Sequence, residues 1–179
     1  MGGSHLLTPW ANFYVMTGSA AASLTGLMFV VVTLVAGERM RRNPDGIKVF
    51  STPTVAHYGA ALLFSALLIA PWVAPAHAAI LVGLGALGGI AYMIRVWYHT
   101  RRLSRYTPDF EDWIWYTGVP LGAYAAILAG AVLLFRHSGV GPFAVAAGVM
   151  LLLFAGIHNA WDIVTFIASG GAEDDSDSS

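Results

Sequence analysis

Five long apolar stretches, separated by short polar segments, account for most of the chain. They cover residues from about 13–36, 53–72, 76–98, 113–135 and 140–168. A helix that crosses a hydrocarbon core of about 30 Å needs roughly 20 mostly apolar residues, because lipid offers no partner to an unpaired backbone amide. The pattern therefore predicts an all-α fold, a polytopic bundle of five transmembrane helices.

Prolines mark several of the predicted helix boundaries. Thr52 is suited to cap the second helix, with Pro53 at its first position, where the missing N–H costs little. Pro71 and Pro75 end that helix and impose a short turn, while Pro120 predicts a kink in the fourth helix. The fifth helix is long enough to tilt or to extend beyond the membrane.

The composition supports a lipid environment and excludes several kinds of site. Hydrophobic residues make up 57% of the 179 residues and charged residues only 11%, which leaves too little polar surface to cover a soluble globule. Most of the cations gather in two segments between helices, so nucleic acid is not an expected partner. The absence of cysteine excludes disulfides, thiolate metal sites, iron–sulfur clusters and a thiol nucleophile.

The distribution of positive charge predicts the orientation. With the N-terminus outside and the C-terminus in the cytoplasm, eight of the nine Lys and Arg residues lie on the cytoplasmic side, and only Arg136 lies outside. Tryptophans would form belts at both boundaries, with Trp10 and Trp72 at the outer one. This asymmetry predicts a multi-pass protein of the cytoplasmic (inner) membrane.

The sequence predicts a membrane-embedded helix near the N-terminus and a disordered tail at the C-terminus. Residues 1–11 contain no Lys or Arg, and a positive cluster follows the first apolar stretch, so that stretch is interpreted as a retained helix and not as a cleaved signal. Residues 1–169 are predicted to form a single transmembrane bundle. Residues 170–179, GGAEDDSDSS, are acidic and have almost no apolar side chains, which predicts a disordered tail.

Small residues recur at every fourth position in three of the predicted helices, and such stripes let helix backbones approach closely. We expect them to pack helices inside one bundle, while an interface between copies or a pore lining remains an alternative. The stripes consist of Gly18, Ala22 and Gly26 in the first helix, Gly85 and Gly89 in the third, and Gly118 and Gly122 in the fourth.

A few polar residues within the spans are the candidates for function, since ionisable groups in lipid cost several kcal/mol unless they find a partner. Counting at 1.5 Å per residue places His57 and His158 about 5–8 Å, and Arg95 and Asp162 about 12 Å, to the cytoplasmic side of the helix middles. Asn159 adds a polar amide beside His158. We expect an ion pair between Arg95 and Asp162, which either only neutralises two buried charges or takes part in function.

His158 and Asp162 are four residues apart and therefore share one helix face. With Asn159 they are suited to form a protonatable cluster open to the cytoplasm. Glu111 and Asp112, just before the fourth helix, are a possible extension of this cluster. The alternative is that these two carboxylates lie at the membrane surface, where the helix N-terminus favours negative charge.

Three segments carry a resemblance to other proteins: WANFYVMTGSAAASLTGLMFVVVTLVA from Trp10, STPTVAHYGAALL, and GIHNAWDIVTF. They resemble segments of an uncharacterised group of small bacterial multi-pass inner-membrane proteins. The resemblance implies an inner-membrane placement and brings no activity, cofactor or ligand with it.

Three classes of function fit these observations. The first is an oligomeric channel or small transporter for protons, ions or a small solute, since five short helices enclose little aqueous volume alone. The second is an accessory or structural subunit that binds a partner membrane protein and has no chemistry. The third is a redox module with a b-type haem between His57 and His158, the one cofactor considered.

An enzyme is less favoured, because the sequence lacks Walker, Rossmann and HExxH patterns and offers too few matched metal ligands. We therefore predict no metal site and assign no catalytic residue.

Overall fold

The described parts of the chain are helices, with short connections at residues 70–74 and 136–140. The computed structural model describes residues 6–36, 44–100 and 113–176, with side chains at 6–33, 53–98 and 113–165. After a 3₁₀ turn at Thr8–Trp10, the helices are α1 (Ala11–Ala36), α2 (Pro44–Ile69), α3 (Pro75–Thr100), α4 (Val119–Phe135) and α5 (Gly141–Ser176). A π-helical turn, Ile114–Gly118, leads into α4. The described ranges contain no strand, which confirms the all-α class.

Four of these helical stretches are long and apolar enough to cross a membrane: Thr8–Thr33, Pro75–Tyr98, Ile114–Phe135 and Gly141–Thr165. The apolar part of α2, Pro53–Ile69, is shorter, at about 25 Å for a rise of 1.5 Å per residue. The described helices therefore have the character of a multi-pass membrane protein, with α2 as the shortest apolar element.

The helices α2, α3, α4 and α5 form a ring of four, and α1 lies outside it. Around the ring, α4 packs extensively on both α3 and α5, α2 packs on α5, and a lighter contact between α2 and α3 closes the circle. α1 packs along α2 and touches α5 more lightly. The core of the ring is filled by fully buried apolar side chains such as Val82, Ile127 and Leu152.

Glycines explain how closely α4 and α5 approach. A Cβ atom on Gly130 would lie 2.7 Å from the backbone nitrogen of Val145, and one on Gly148 would lie 2.6 Å from the carbonyl oxygen of Ala123. These neighbours are backbone atoms that cannot rotate away. Only glycine therefore permits this separation, as is common where helices meet in membranes.

Two helix boundaries differ from the sequence predictions because of how proline is accommodated. α2 begins at Pro44, so Pro53 lies inside the helix, and it ends at Ile69, before Pro71. The predicted kink at Pro120 is instead a π-helical turn immediately before it, with Pro120 in the first turn of α4. A widened turn gives room to the proline ring, which would otherwise meet the carbonyl of the preceding turn.

The last helix is longer than predicted. α5 continues to Ser176, so the backbone is helical over residues 170–176, where the sequence predicts a disordered tail. Extending an existing helix adds one hydrogen bond per residue without a new nucleation cost, and no proline interrupts this segment.

The small-residue stripes divide between packed and open positions. A Cβ on Gly18 would lie 3.1 Å from Ser65, and Gly85 and Gly89 lie under the rings of Phe64 and Tyr124. The other members make no close contact with another helix among the described residues, because the rotation of α1 and α4 about their axes turns these positions outward. Gly26 and Gly122 have open space where a Cβ would be, Ala22 is exposed, and Gly118 makes only an ordinary contact with the Trp113 carbonyl.

Candidate functional site

A buried hydrogen bond joins α2 to α4. His57 is completely buried, and its Nδ1 lies 3.3 Å from the hydroxyl of Tyr124, which is also buried. The ring of Tyr124 crosses the bundle over Gly89 of α3, which has no side chain to block it. Three helices therefore hold the His57–Tyr124 pair in place.

Some polar atoms of the described residues are buried without hydrogen-bond partners. In the described part of the chain, the Nε2 atom of His57 and both Oδ1 and Nδ2 of Asn159 are shielded from solvent and make no hydrogen bond. Asn159 of α5 is as fully buried as His57. A buried polar group without a partner costs about 1–3 kcal/mol, so hydrogen-bonding capacity is left unused at both residues.

The packing of α2 on α5 puts these two side chains at similar heights. The Tyr58 ring lies against Gly156, where a Cβ would meet it, and this contact sets the register of the two antiparallel helices. His57 precedes Tyr58 by one residue and Asn159 follows Gly156 by three. At 1.5 Å per residue the two positions are offset by only about 3 Å along the bundle axis. We call His57, Tyr124 and Asn159 the polar centre.

A second polar group lies nearer the surface. The Nε2 atom of His158 is 3.3 Å from Oδ2 of Asp162, one turn later in α5, and the two side chains are 27% and 40% exposed. The ring of Trp115 stacks on His158 with centroids 4.1 Å apart and planes inclined by 18°. Trp115 belongs to the π-helical turn before α4, so this turn brings the indole onto the imidazole.

The predicted ion pair between Arg95 and Asp162 is absent from the described residues, where Asp162 pairs with His158. Arg95 is exposed on α3. The reason is the helix order, since α4 lies between α3 and α5 and separates the two residues. The predicted pairing of His158 with Asp162 on one face is confirmed. Glu111 and Asp112 lie outside the described residues.

The two histidines have different neighbours. His57 bonds to Tyr124, whereas His158 contacts Trp115 and Asp162, and these partners would have to move before both rings could bind one haem. No group of three His, Asp or Glu side chains suited to a metal occurs among the described residues.

Sequence reasoning missed Tyr124 and Trp115. A tyrosine at the midpoint of an apolar span was the available signal for Tyr124, because its hydroxyl needs a partner there. Nothing in the sequence pointed to the stacking of Trp115, which depends on the π-helical turn.

The opposite end of the bundle is closed by direct contacts. We call the end at which α1 and α3 finish the basic end, because most cations lie in the connections there. At the other end, Thr17 and Ser65 share a hydrogen bond of 3.0 Å, and the Tyr14 hydroxyl donates to the Pro142 carbonyl at 3.0 Å. The Trp10 ring also packs edge-on against an α5 phenylalanine, with centroids 4.5 Å apart.

Two grooves lie on the outer surface of the bundle. A groove of about 360 Å³ lies between α3 and α4, next to Ile94 and Leu121. A groove of about 220 Å³ lies between α1 and α5, next to Leu27 and Trp161. Neither is lined by a member of the polar centre.

A comparison of the chain with protein-family models, with curated proteins and with solved structures found no match. The resemblance to the bacterial inner-membrane group stays a prediction.

Proposed function

We propose that the chain spans a cytoplasmic membrane five times, with the N-terminus outside and the C-terminus inside. The charge distribution supports this orientation, since it places eight of nine cations on the cytoplasmic side. The apolar part of α2, although short, is long enough if polar ends reach the headgroup region. The basic end is then cytoplasmic, and the polar centre lies in the cytoplasmic half.

This orientation can be tested directly, because the natural chain has no cysteine. Single cysteines at Ser4 and Ser178 should react differently with a membrane-impermeant maleimide in intact cells, with Ser4→Cys labelled and Ser178→Cys protected. Labelling of both or of neither would contradict an odd number of spans. Labelling of Ser178→Cys alone would reverse the orientation.

We further propose that the protein is a small transporter or gated channel for protons, ions or a small polar solute. The single observation that carries this proposal is the set of unpartnered polar atoms on His57 and Asn159. Such atoms are costly in a lipid-embedded bundle, so their presence is explained if they bind something that enters the bundle. The partly exposed His158–Asp162 pair on the same side provides a polar approach from the cytoplasm.

The end of the bundle opposite the basic end is closed, which favours a gated pathway over an open pore. At this end the ring is filled by the fully buried side chains of Leu134 in α4 and Val145 in α5. The hydrogen bonds of Thr17 and Tyr14 hold α1 against the outside of the ring. Passage across the membrane would require these helices to separate at the outer end. The described conformation fits a state that is closed toward the outside.

The test uses purified protein in proteoliposomes. Asn159→Leu keeps the branched shape of the side chain but removes the amide, and it should lower the flux of the permeant to the level of empty vesicles. Asn12→Leu is the matched control, because Asn12 is exposed near the start of α1, far from the polar centre. Asp162→Asn should lower the flux by a smaller factor. Wild-type vesicles no more permeable than empty ones to protons, ions and small solutes would contradict the proposal.

A second candidate, an accessory subunit, is favoured by the exposed face of α1. Ser19, Ser23 and Gly26 lie on this face at helical spacing, which is unusual for a surface in contact with lipid and typical of helix–helix interfaces in membranes. A cysteine at Ser23 should then form a disulfide with a second copy or crosslink to a stoichiometric partner. An uncrosslinked, monomeric protein in mild detergent would count against this candidate.

A further inference from the structure

We infer that the polar centre binds water and transfers protons, and that it excludes other ions. This inference rests on the proposed permeation function and names its substrate. It follows from which hydrogen bonds the centre can still make, from the charges around it and from the space it leaves.

The unused hydrogen-bonding capacity is mixed. Both polar atoms of Asn159 are free, so its amide offers two N–H donors and an acceptor oxygen. If Nδ1 of His57 donates to Tyr124, then Nε2 of His57 is an acceptor. An anion would use only the donors and a cation only the acceptors, which leaves the rest unsatisfied. A molecule that both donates and accepts, such as water, satisfies both sets.

No charge is available to compensate an ion. The buried polar side chains in the described part of the chain are Thr17, Thr54, His57, Ser65 and Asn159, with no Asp, Glu, Lys or Arg among them. An ion taken from water into such surroundings loses its hydration without gaining an opposite charge. A proton differs from such an ion, because it is held by a covalent N–H bond of the imidazole, which spreads the charge over both ring nitrogens.

The titratable side chains near His57 are tyrosines, whose phenols are neutral at physiological pH. They are Tyr58 on the same helix, Tyr124 on α4, and Tyr92 on α3, which interacts electrostatically with Tyr124. The buried polar side chain that α5 contributes is the amide of Asn159, among the described residues. The described residues include no carboxylate in contact with His57, so none of them fixes a proton permanently on the imidazole.

The helices leave little space around the centre. The rings of Tyr58 and Tyr124 lie directly on Gly156 and Gly89, and neither surface groove includes His57 or Asn159. A buried water needs only about the volume of one water-sized probe and two to four polar partners. The centre supplies the partners, and its tight packing favours water over a larger solute.

Proton transfer through the centre exchanges one bond for another at each step. As a proton from the cytoplasmic side bonds to the oxygen of the bound water, another O–H bond of that water breaks and an Nε2–H bond forms on His57. The water is regenerated and the imidazole becomes an imidazolium. When the bundle opens, the Nε2–H bond breaks and the proton passes to the oxygen of a water molecule that enters from the outer side.

The flux experiment separates this inference from the proposed function. Vesicles loaded with a pH-sensitive dye, and given a potassium diffusion potential with valinomycin, should acidify several-fold faster with wild-type protein than without it. Asn159→Leu should abolish this increase and Asn12→Leu should retain it, while sodium and chloride fluxes stay at the level of empty vesicles. A sodium, chloride or small-solute flux that depends on Asn159 would overturn the inference and leave the proposed function standing. No flux of any kind would overturn both.

Bound water can also be detected without transport. Infrared spectra of the wild-type protein in lipid films should contain a sharp O–H stretching band that shifts when H₂¹⁸O replaces water. The band should be missing in Asn159→Leu and present in Asn12→Leu. If leucine prevents folding, Asn159→Ala removes the amide without adding bulk and should also lose the band. A wild-type protein without the band, or a band that survives removal of the amide, would refute water binding at this site.

Discussion

The close contact between α4 and α5 predicts that Gly148→Ala destabilises the bundle. An added methyl group at Gly148 would lie 2.6 Å from the carbonyl oxygen of Ala123 and would also overlap the Ile127 side chain. Because the oxygen belongs to the backbone, the two helices would have to separate by nearly 1 Å to restore an ordinary contact distance of about 3.4 Å. Overpacking of this kind costs about 1–3 kcal/mol.

The matched control is Gly122→Ala in α4, where a Cβ atom has no neighbour within 4 Å. Both substitutions gain the same helix propensity, about 1 kcal/mol in favour of alanine. The gain cancels in the difference, so Gly148→Ala should be less stable than Gly122→Ala by about 1–3 kcal/mol.

The measurement is reversible unfolding in mixed micelles, followed by tryptophan fluorescence as the denaturing detergent increases. Both variants and the wild-type protein are compared at the same lipid composition. Surface substitutions without structural effect change the free energy of unfolding by no more than about 0.5 kcal/mol. If the two variants differ by less than this, α4 and α5 do not approach each other as described.

Two further predictions concern other contacts. Thr17→Val and Ser65→Ala should each lower the free energy of unfolding by about 0.5–1.5 kcal/mol. The double variant should lose less than the sum of the two, because both substitutions remove the same hydrogen bond. Additive losses in unfolding measurements would contradict that bond. Gly89→Ala should displace the Tyr124 ring and lower proton flux in proteoliposomes several-fold, whereas Gly88→Ala, which faces open space, should not. Equal proton flux in these two variants would show that the position of the Tyr124 ring does not affect proton transfer.

Local patterns were sufficient to predict the helices and one side-chain pair. The apolar stretches identified every long helix within a few residues, except that α2 and α5 extend further into polar sequence. The contact between His158 and Asp162 followed from their spacing alone, since residues four apart on a helix are neighbours whatever surrounds them.

Contacts between helices were harder to predict, as Arg95 illustrates. Its depth in the membrane matched that of Asp162, but depth does not specify which way a helix is rotated or which helix is its neighbour. The structure places α4 between them and leaves Arg95 exposed. The glycine stripes had the same weakness, since Gly85 and Gly89 face neighbouring helices while Gly122 faces outward.

The sequence by itself determined that the chain is helical and apolar enough for a membrane, because a hydrocarbon solvent requires long apolar segments and internal backbone hydrogen bonds. Only the tertiary structure decided that His57 meets Tyr124 and that Asn159 is buried at nearly the same height. Those contacts depend on helix order and rotation, which are set by large rings packing on glycines far apart in the chain. Such complementarity is a property of pairs of surfaces and cannot be read from one helix at a time.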